Sequence, residues 1–268
     1  MSFSSVMGGE QAERDRLLAQ CEQLRADAEL LLDRLGARPG WRVIDIGCGP
    51  LGILDLLAER VGPAGEVIGV ERETRFVEMA RAELARRGLH RVQLLEADAM
   101  RSGLPRNTYD LVHERLVLLQ QPDPTPLLAE MVALARPGGI VAVEDIDVAS
   151  WLCHPPHPAW EALREAFETL IGRSGMDIYL GRRLPELLHM AGLQHISVEV
   201  RTGACPPGDP RRMHLLALVE PVRARIVEAG LLTAPDLDVL VMDATAYLAQ
   251  PEPLVVRELL CQAWGTKP

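Results

Sequence analysis

A short strand that runs into a glycine-rich turn constrains the fold of this chain more than any other feature. Residues 42–46 read RVIDI, a β-branched run typical of a buried strand, and GCGPLG follows at 47–52. Glycines let the backbone turn sharply and let a ligand approach without a Cβ in the way. Because an apolar helical stretch comes next, the turn joins a strand to a helix, where open α/β sheets bind ligands.

The alternation of strands and helices continues along the chain after this turn. Strands alternating with helices form right-handed crossovers and a parallel sheet that is covered on both faces. We therefore predict an α/β fold with a doubly wound, mostly parallel seven-stranded sheet, helices on both faces and a helical cap. Apolar spacing predicts helices at 53–61, 74–88 and 124–136 and strands at 66–71, 92–98, 109–114 and 140–146.

Helical patterns dominate the two ends of the chain. Apolar spacing predicts an N-terminal helix over 10–35, and an insertion between the last two strands is expected to cap the ligand edge of the sheet. The predicted organisation is an N-terminal helical segment (1–40), a core (41–204), a helical cap (205–252) and a last core strand (253–268). The elements predicted after residue 150 are helices at 157–175, 182–192, 210–230 and 235–249 and strands at 195–203 and 254–265.

Charge and cysteine usage narrow the class of protein. The net charge of −10 and the lack of a dense basic stretch disfavour nucleic-acid binding. No apolar run approaches the roughly 18 residues of a membrane helix. Five scattered cysteines are typical of reduced thiols, so we expect a cytoplasmic protein. We expect no metal, because His154 and His157 lack further ligands at suitable spacing, and the sequence leaves a homodimer open.

Three acidic residues lie at the ends of three consecutive predicted strands. Asp45 could take a ligand ammonium while the N–H groups of the turn take a carboxylate, as an amino acid requires. Glu71, 19 residues after Gly52, is placed to accept ribose hydroxyls, which suits NAD equally well. Asp98 offers a further acceptor for an adenine amino group. GCGPLG also matches the dinucleotide fingerprint, so a nicotinamide-dependent oxidoreductase stays an alternative.

Five segments in order carry a resemblance to a known family. VIDIGCG, VIGVE, LLEADAM, YDLVHERLVL and LARPGGIVAVED resemble the successive motifs of class I S-adenosylmethionine-dependent methyltransferases, in particular the ubiquinone and menaquinone methyltransferase group. The resemblance covers about residues 10–200 and hardly touches the helical insertion. Leu51 stands where the family usually has its third glycine, and Gly52 is the residue that could replace it.

The resemblance implies S-adenosylmethionine as cofactor and assigns roles along the motifs. The turn would hold the methionine portion, Glu71 the ribose and Asp98 the adenine amino group, while the end of the fourth strand lies beside the sulfonium. The implied cofactor residues are Asp45, Gly47, Cys48, Gly49, Glu71, Arg72, Asp98, Ala99, Met100, His113, Glu114 and Arg115.

The implied activity is methylation of a small molecule, at oxygen or carbon, in bacterial secondary metabolism. The alternative is a methyltransferase-fold enzyme whose bound cofactor serves another reaction, such as cyclisation or hydroxylation. A phenol or alcohol acceptor needs a general base. His113 is the predicted base, because histidine titrates near neutral pH, with Asp147 as the next candidate. A histidine that only lines the pocket is the competing interpretation.

Overall fold

The computed structural model describes residues 10–268, with side chains from Arg14 onward. The helices are α1 (Glu10–Gln23), α2 (Arg25–Leu35), α3 (Leu54–Val61), α4 (Thr74–Arg86), α5 (Thr125–Leu134), α6 (Pro158–Arg173), α7 (Leu184–Met190), α8 (His214–Glu228) and α9 (Ala234–Leu248). The strands are β1 (Arg42–Ile46), β2 (Glu66–Glu71), β3 (Gln93–Glu96), β4 (Tyr109–Arg115), β5 (Ala135–Asp147), β6 (Leu152–His154), β7 (Gln194–Arg201), β8 (Ala204–Cys205), β9 (Leu254–Val256) and β10 (Leu259–Thr266).

The main sheet confirms the predicted fold class. Its seven strands lie in the order β3-β2-β1-β4-β5-β10-β7. The first five are mutually parallel, and β10 runs antiparallel to both neighbours. Successive residues of β1 enter different cores, since Val43 packs in one buried apolar cluster and Ile44 in another. Both faces of the sheet are therefore covered, as the unbroken apolar pattern of a parallel strand requires.

The N-terminal segment differs from the single helix that the sequence predicts over 10–35. The chain leaves helical geometry at Leu24 (φ −98°, ψ 3°), which separates α1 from α2. Helix α2 buries Ala28, Leu31 and Leu32 in the cluster that also holds Val43 of β1. Helix α2 therefore packs on the sheet, whereas α1 reaches the edge where the functional cavity lies.

The cap is larger than the predicted segment 205–252. Helix α6, which precedes β7 in the chain, shares one buried apolar cluster with α8 and α9. Phe167 of α6 and Val219 of α8 both belong to this cluster. A small antiparallel sheet, β6-β9-β8, joins it, so the predicted strand at 254–265 is in fact two strands in different sheets. The cap therefore draws on segments from both sides of β7.

One buried arginine ties the cap together. Arg212, 3% exposed, donates hydrogen bonds to the carbonyl oxygens of Leu248 (2.9 Å), Cys205 (3.2 Å) and Gln250 (2.9 Å). These carbonyls lie at the end of β8 and at or just after the end of α9, so a single side chain holds two separate segments beside the start of α8. Within residues 10–268, no helix combines the length and the apolar character that crossing a bilayer requires.

Candidate active site

A cavity of about 620 Å³ lies at the carboxyl ends of the parallel strands. Residues that follow β1 to β5 line one side of it, and residues of α1 and the cap line the other. Ten predicted site residues line it: Asp45, Gly47, Cys48, Gly49, Glu71, Arg72, Asp98, Ala99, Met100 and Arg115. Three more, His113, Glu114 and Asp147, are not among the described residues that line the cavity.

The glycine-rich turn combines packing constraints with open space. Gly47, Gly49 and Gly52 have φ values of 64°, 53° and 55°, a region that side chains disfavour. A Cβ on Gly47 would lie 2.5 Å from Val117, and one on Gly52 would collide with the carboxylate of Asp45. Gly52 therefore takes the part of the third glycine. A Cβ on Gly49 would meet no protein atom within 4 Å, so this position faces space that a ligand can enter.

Glu71 at the end of β2 organises the loops around it. Its carboxylate accepts hydrogen bonds from the backbone N–H groups of Gly49 (3.1 Å), Arg72 (2.9 Å) and Glu73 (2.9 Å). Burial raises its pKa, and these hydrogen bonds oppose the rise. A carboxylate has about four acceptor positions, so one direction on Oε2 is left for a ligand hydroxyl.

Asp98 follows β3 at the mouth of the cavity. Its Oδ1 accepts a hydrogen bond from the backbone N–H of Met100 at 2.9 Å, which caps the short turn at Ala99–Arg101. Asp98 therefore has the capping role that acidic residues often have at the start of a helical turn. Because the cap bond uses one oxygen, Oδ2 can accept from another group at the cavity mouth.

Arg115 ends β4 and is the best-placed cation for an anionic ligand group. Its Nη2 donates to the carbonyl oxygen of Gly52 at 3.3 Å, whereas Nη1 is buried without a partner among the described residues. Burial acts to lower the pKa of Arg115, but the nearby Glu144, Cys21 and Asp45 outweigh burial and raise the pKa above its usual value. A buried guanidinium N–H without an acceptor is costly, so a ligand carboxylate beside Arg115 would satisfy it.

His113 is enclosed between two carboxylates. Its side chain is 0% exposed, with Nδ1 2.7 Å from Oδ1 of Asp45 and Nε2 2.9 Å from Oε1 of Glu144. Burial alone would lower the pKa of His113, but the hydrogen bonds and charges of the two carboxylates raise it to about 9. The ring is therefore a buried cation with both nitrogens donating. This corrects the expectation that His113 takes a proton from substrate, because no ring nitrogen is free or faces the cavity.

Glu114 and Asp145 form a second enclosed group behind the turn that follows β4. Oε2 of Glu114 accepts hydrogen bonds from the backbone N–H groups of Val117 (2.9 Å) and Leu118 (3.3 Å). Burial raises the pKa of Glu114 to about 7, and burial beside Glu114 raises that of Asp145 well above its usual range. Glu114 thus shapes the loop that lines the cavity, and it does not face a ligand as the resemblance implies.

Asp147 also serves the protein's own structure. It accepts hydrogen bonds from the backbone N–H of Ala149 (2.9 Å) and from the guanidinium of Arg182, whose Nη2 lies 2.7 Å from Oδ1. Burial would raise the pKa of Asp147, but Arg182 and the backbone bond hold it below its usual value. An ionised carboxylate that is already paired with arginine and outside the cavity corrects the expectation of a base here.

The cap side of the cavity contains residues that the sequence motifs do not reveal. An aromatic and aliphatic wall is formed by Trp151, Phe167, Ile171, Met176 and Ile178. His214 and Glu258 also line the cavity, 44 positions apart along the chain. The cap carries no family motif, so no pattern in the sequence could bring these two residues together.

The strand order, the glycine-rich turn and the acidic strand ends are those of the class I S-adenosylmethionine-dependent methyltransferase fold. Residues 37–192 match the model of the methyltransferase domain family, and the chain belongs to that family. Strands β1 to β5, the glycine turn and the acidic strand ends all lie within the matched region.

Two curated relatives are informative. Nocamycin O-methyltransferase of Saccharothrix syringae is 34% identical over 122 residues, which are 46% of this chain and 44% of the relative. Demethylmenaquinone methyltransferase of Geobacillus stearothermophilus is 33% identical over 110 residues, 41% of this chain and 47% of the relative, which confirms the resemblance to the menaquinone group. This chain therefore spans about half the length of the curated relatives it matches.

A solved structure shares the fold. Phosphoethanolamine N-methyltransferase 2 of Haemonchus contortus, in complex with phosphomonomethylethanolamine and S-adenosylhomocysteine, superimposes with a TM-score of 0.58 and 20% identity. The likeness covers 90% of this chain and 52% of that protein.

Proposed function

We propose that this protein transfers the methyl group of S-adenosylmethionine to the oxygen or carbon of a small molecule in bacterial secondary metabolism. The observation that carries the proposal is the continuity of one cavity. It joins the glycine turn, Glu71 and Arg115 on the sheet side to the apolar wall that includes Trp151 and Phe167 on the cap side. Two molecules can thus meet in one enclosed space, which a group transfer requires.

The residues on the sheet side fit the cofactor group by group. Arg115, with its unpaired Nη1, would hold the carboxylate, and the open space at Gly49 would admit the backbone of the amino-acid portion. Glu71 would accept a ribose hydroxyl with its remaining oxygen position, and Asp98 would accept from the adenine amino group. When bound, S-adenosylmethionine supplies a methyl group that is already activated by the sulfonium.

The cap side supplies an apolar wall for the acceptor. Trp151 and Phe167 have ring centroids 5.9 Å apart, and Ile171 and Ile178 extend the same apolar surface. Excluding water prevents hydrolysis and strengthens electrostatic interactions inside the site. This wall suits an acceptor with a largely apolar body, which agrees with methylation of a small molecule.

Binding of S-adenosylhomocysteine tests the cofactor assignment. Glu71→Ala should weaken binding by about 2–3 kcal/mol, because charge-assisted hydrogen bonds to the ligand and to the turn are lost together. Glu96→Ala is the matched control, since Glu96 is an exposed carboxylate at the end of β3 that does not line the cavity. Calorimetry should show a normal affinity for the control. Equal affinities for the two folded variants would refute the role of Glu71.

Product mass tests the reaction. A panel of hydroxylated aromatic compounds, incubated with S-adenosylmethionine, should yield a product heavier by one methylene and one S-adenosylhomocysteine per product. A product formed while the cofactor stays intact would instead support cyclisation, because the fold alone does not decide the chemistry.

A further inference from the structure

His214 is the histidine that the structure places at the cavity. It is the first residue of α8 and its side chain keeps 23% exposure, in contrast to the sealed His113. The ring lies edge-on to Trp151, with centroids 6.4 Å apart and planes at 79°. His214 therefore stands beside the aromatic wall against which an acceptor would lie.

Glu258 determines which ring nitrogen of His214 carries the proton. Nε2 of His214 lies 3.5 Å from Oε1 of Glu258. Glu258 is itself held in place, because its Oε2 accepts a 2.7 Å hydrogen bond from Nε1 of Trp151 and its Oε1 pairs with Arg257. A fixed carboxylate beside Nε2 favours the tautomer with its proton on Nε2, which leaves the lone pair on Nδ1.

The charges around His214 keep it neutral near physiological pH. Burial lowers its pKa first, Glu258 opposes this, and the cations Arg257 and Arg16 lower it further. Burial would raise the pKa of Glu258, but His214 and Arg257 lower it to about 2, so it is ionised. A neutral imidazole beside a carboxylate is able to accept a proton.

We propose that His214 is the general base of this enzyme, that Glu258 positions it, and that the acceptor therefore carries a phenolic or enolic hydroxyl on an apolar body. This inference rests on the proposed methyl transfer. The acceptor O–H bond breaks and its proton goes to Nδ1 of His214. The oxygen lone pair forms the new bond to the methyl carbon, and the electrons of the carbon–sulfur bond remain on the sulfur of S-adenosylmethionine, giving the thioether.

The apolar wall and the pair formed by His214 and Glu258 (the dyad) together select this class of acceptor. Phe167 and Trp151 offer an aromatic surface on which a ring can pack. An amine acceptor would need no base once neutral, and an alcohol is too weak an acid for an imidazole to deprotonate efficiently. Phenols and enols have pKa values closest to that of the base, so His214 assists their deprotonation most effectively.

Nitrogen NMR of the protein labelled in its 7 histidines tests the dyad without turnover. His214→Gln assigns the signal. We expect a neutral ring with the proton on Nε2 at neutral pH, and a displaced Nδ1 signal when 4-methoxyphenol, which keeps its hydroxyl proton, is added with S-adenosylhomocysteine. Glu258→Gln should change the tautomer ratio and the titration, while Glu258→Asp restores part of both. His189→Gln, an exposed histidine on α7, should change neither.

Rates with phenols of graded acidity supply the second readout. His214→Gln should lower kcat by about 10²–10⁴-fold for 4-methoxyphenol and by less for 4-nitrophenol, which ionises unaided. Binding of S-adenosylhomocysteine should be unchanged. The inference is overturned by a proton on Nδ1, by a His214 signal that no phenol moves, or by equal defects across the phenols. If the parent protein shows the expected NMR response but transfers a methyl group to no phenol, that result counts against the proposed function.

Discussion

Replacing the buried cation His113 should destabilise the folded protein more than any other single histidine change. His113 neutralises Asp45 and Glu144, and all three side chains are almost fully buried. His113→Gln keeps a similar size but removes the charge, so the two carboxylates lose the cation that lies between them. Removing one partner from a buried ion pair costs about 3–5 kcal/mol.

The pKa of His113 gives an independent magnitude and a pH dependence. A rise from 6.5 to about 9 corresponds to about 3 kcal/mol, at 1.36 kcal/mol for each pH unit. The folded protein holds the proton up to about pH 9, while the unfolded chain releases it near 6.5. The stabilisation is therefore complete below pH 6.5 and is lost as the pH rises through 9.

Urea denaturation of the parent and of His113→Gln, from pH 6 to pH 10, measures both effects. The difference in unfolding free energy should be about 3 kcal/mol at pH 6 and should shrink toward pH 10. His189→Gln, on the surface of α7, is the control and should follow the parent at every pH. If His113→Gln does not fold, the parent protein alone provides the test, because its unfolding free energy should decrease between pH 6.5 and pH 9. A parent curve that is flat across that interval would refute a buried cation at His113.

Three further outcomes follow from the same structure. Asp145→Asn should change the unfolding free energy by less than about 1 kcal/mol at pH 7, because burial beside Glu114 already keeps that carboxyl protonated; a loss above 3 kcal/mol by urea denaturation would show that it is charged. Arg212→Met should cost at least about 3 kcal/mol and raise hydrogen exchange in α8 and α9, since three carbonyls, two of them buried, lose their donor; unchanged exchange would argue against this role of Arg212. Gly49→Val should abolish S-adenosylhomocysteine binding by calorimetry, because its side chain enters space that the protein leaves open; retained affinity would remove the turn from the site.

Several parts of the site were predictable because they depend on local sequence. The turn after β1 needs positive φ at Gly47 and Gly49, and glycine is the residue that supplies it. Glu71 and Asp98 follow strands whose ends a parallel sheet brings to one edge, so their placement follows from the order of elements alone. The packing of the cap was less predictable, since α6 and α8 pack together although β7 lies between them in the chain.

Local patterns were enough to predict the class of fold and the edge of the sheet where a ligand binds, because strand periodicity, glycine turns and acidic strand ends depend on neighbouring residues. Which titratable residues face the cavity depends instead on the packing of distant segments. His113 and His214 are both histidines near predicted elements, yet one is sealed between two carboxylates and the other opens onto the cavity. Burial and charge pairing depend on which distant residues pack together, and no local pattern encodes that Glu144 meets His113 or that Glu258 meets His214.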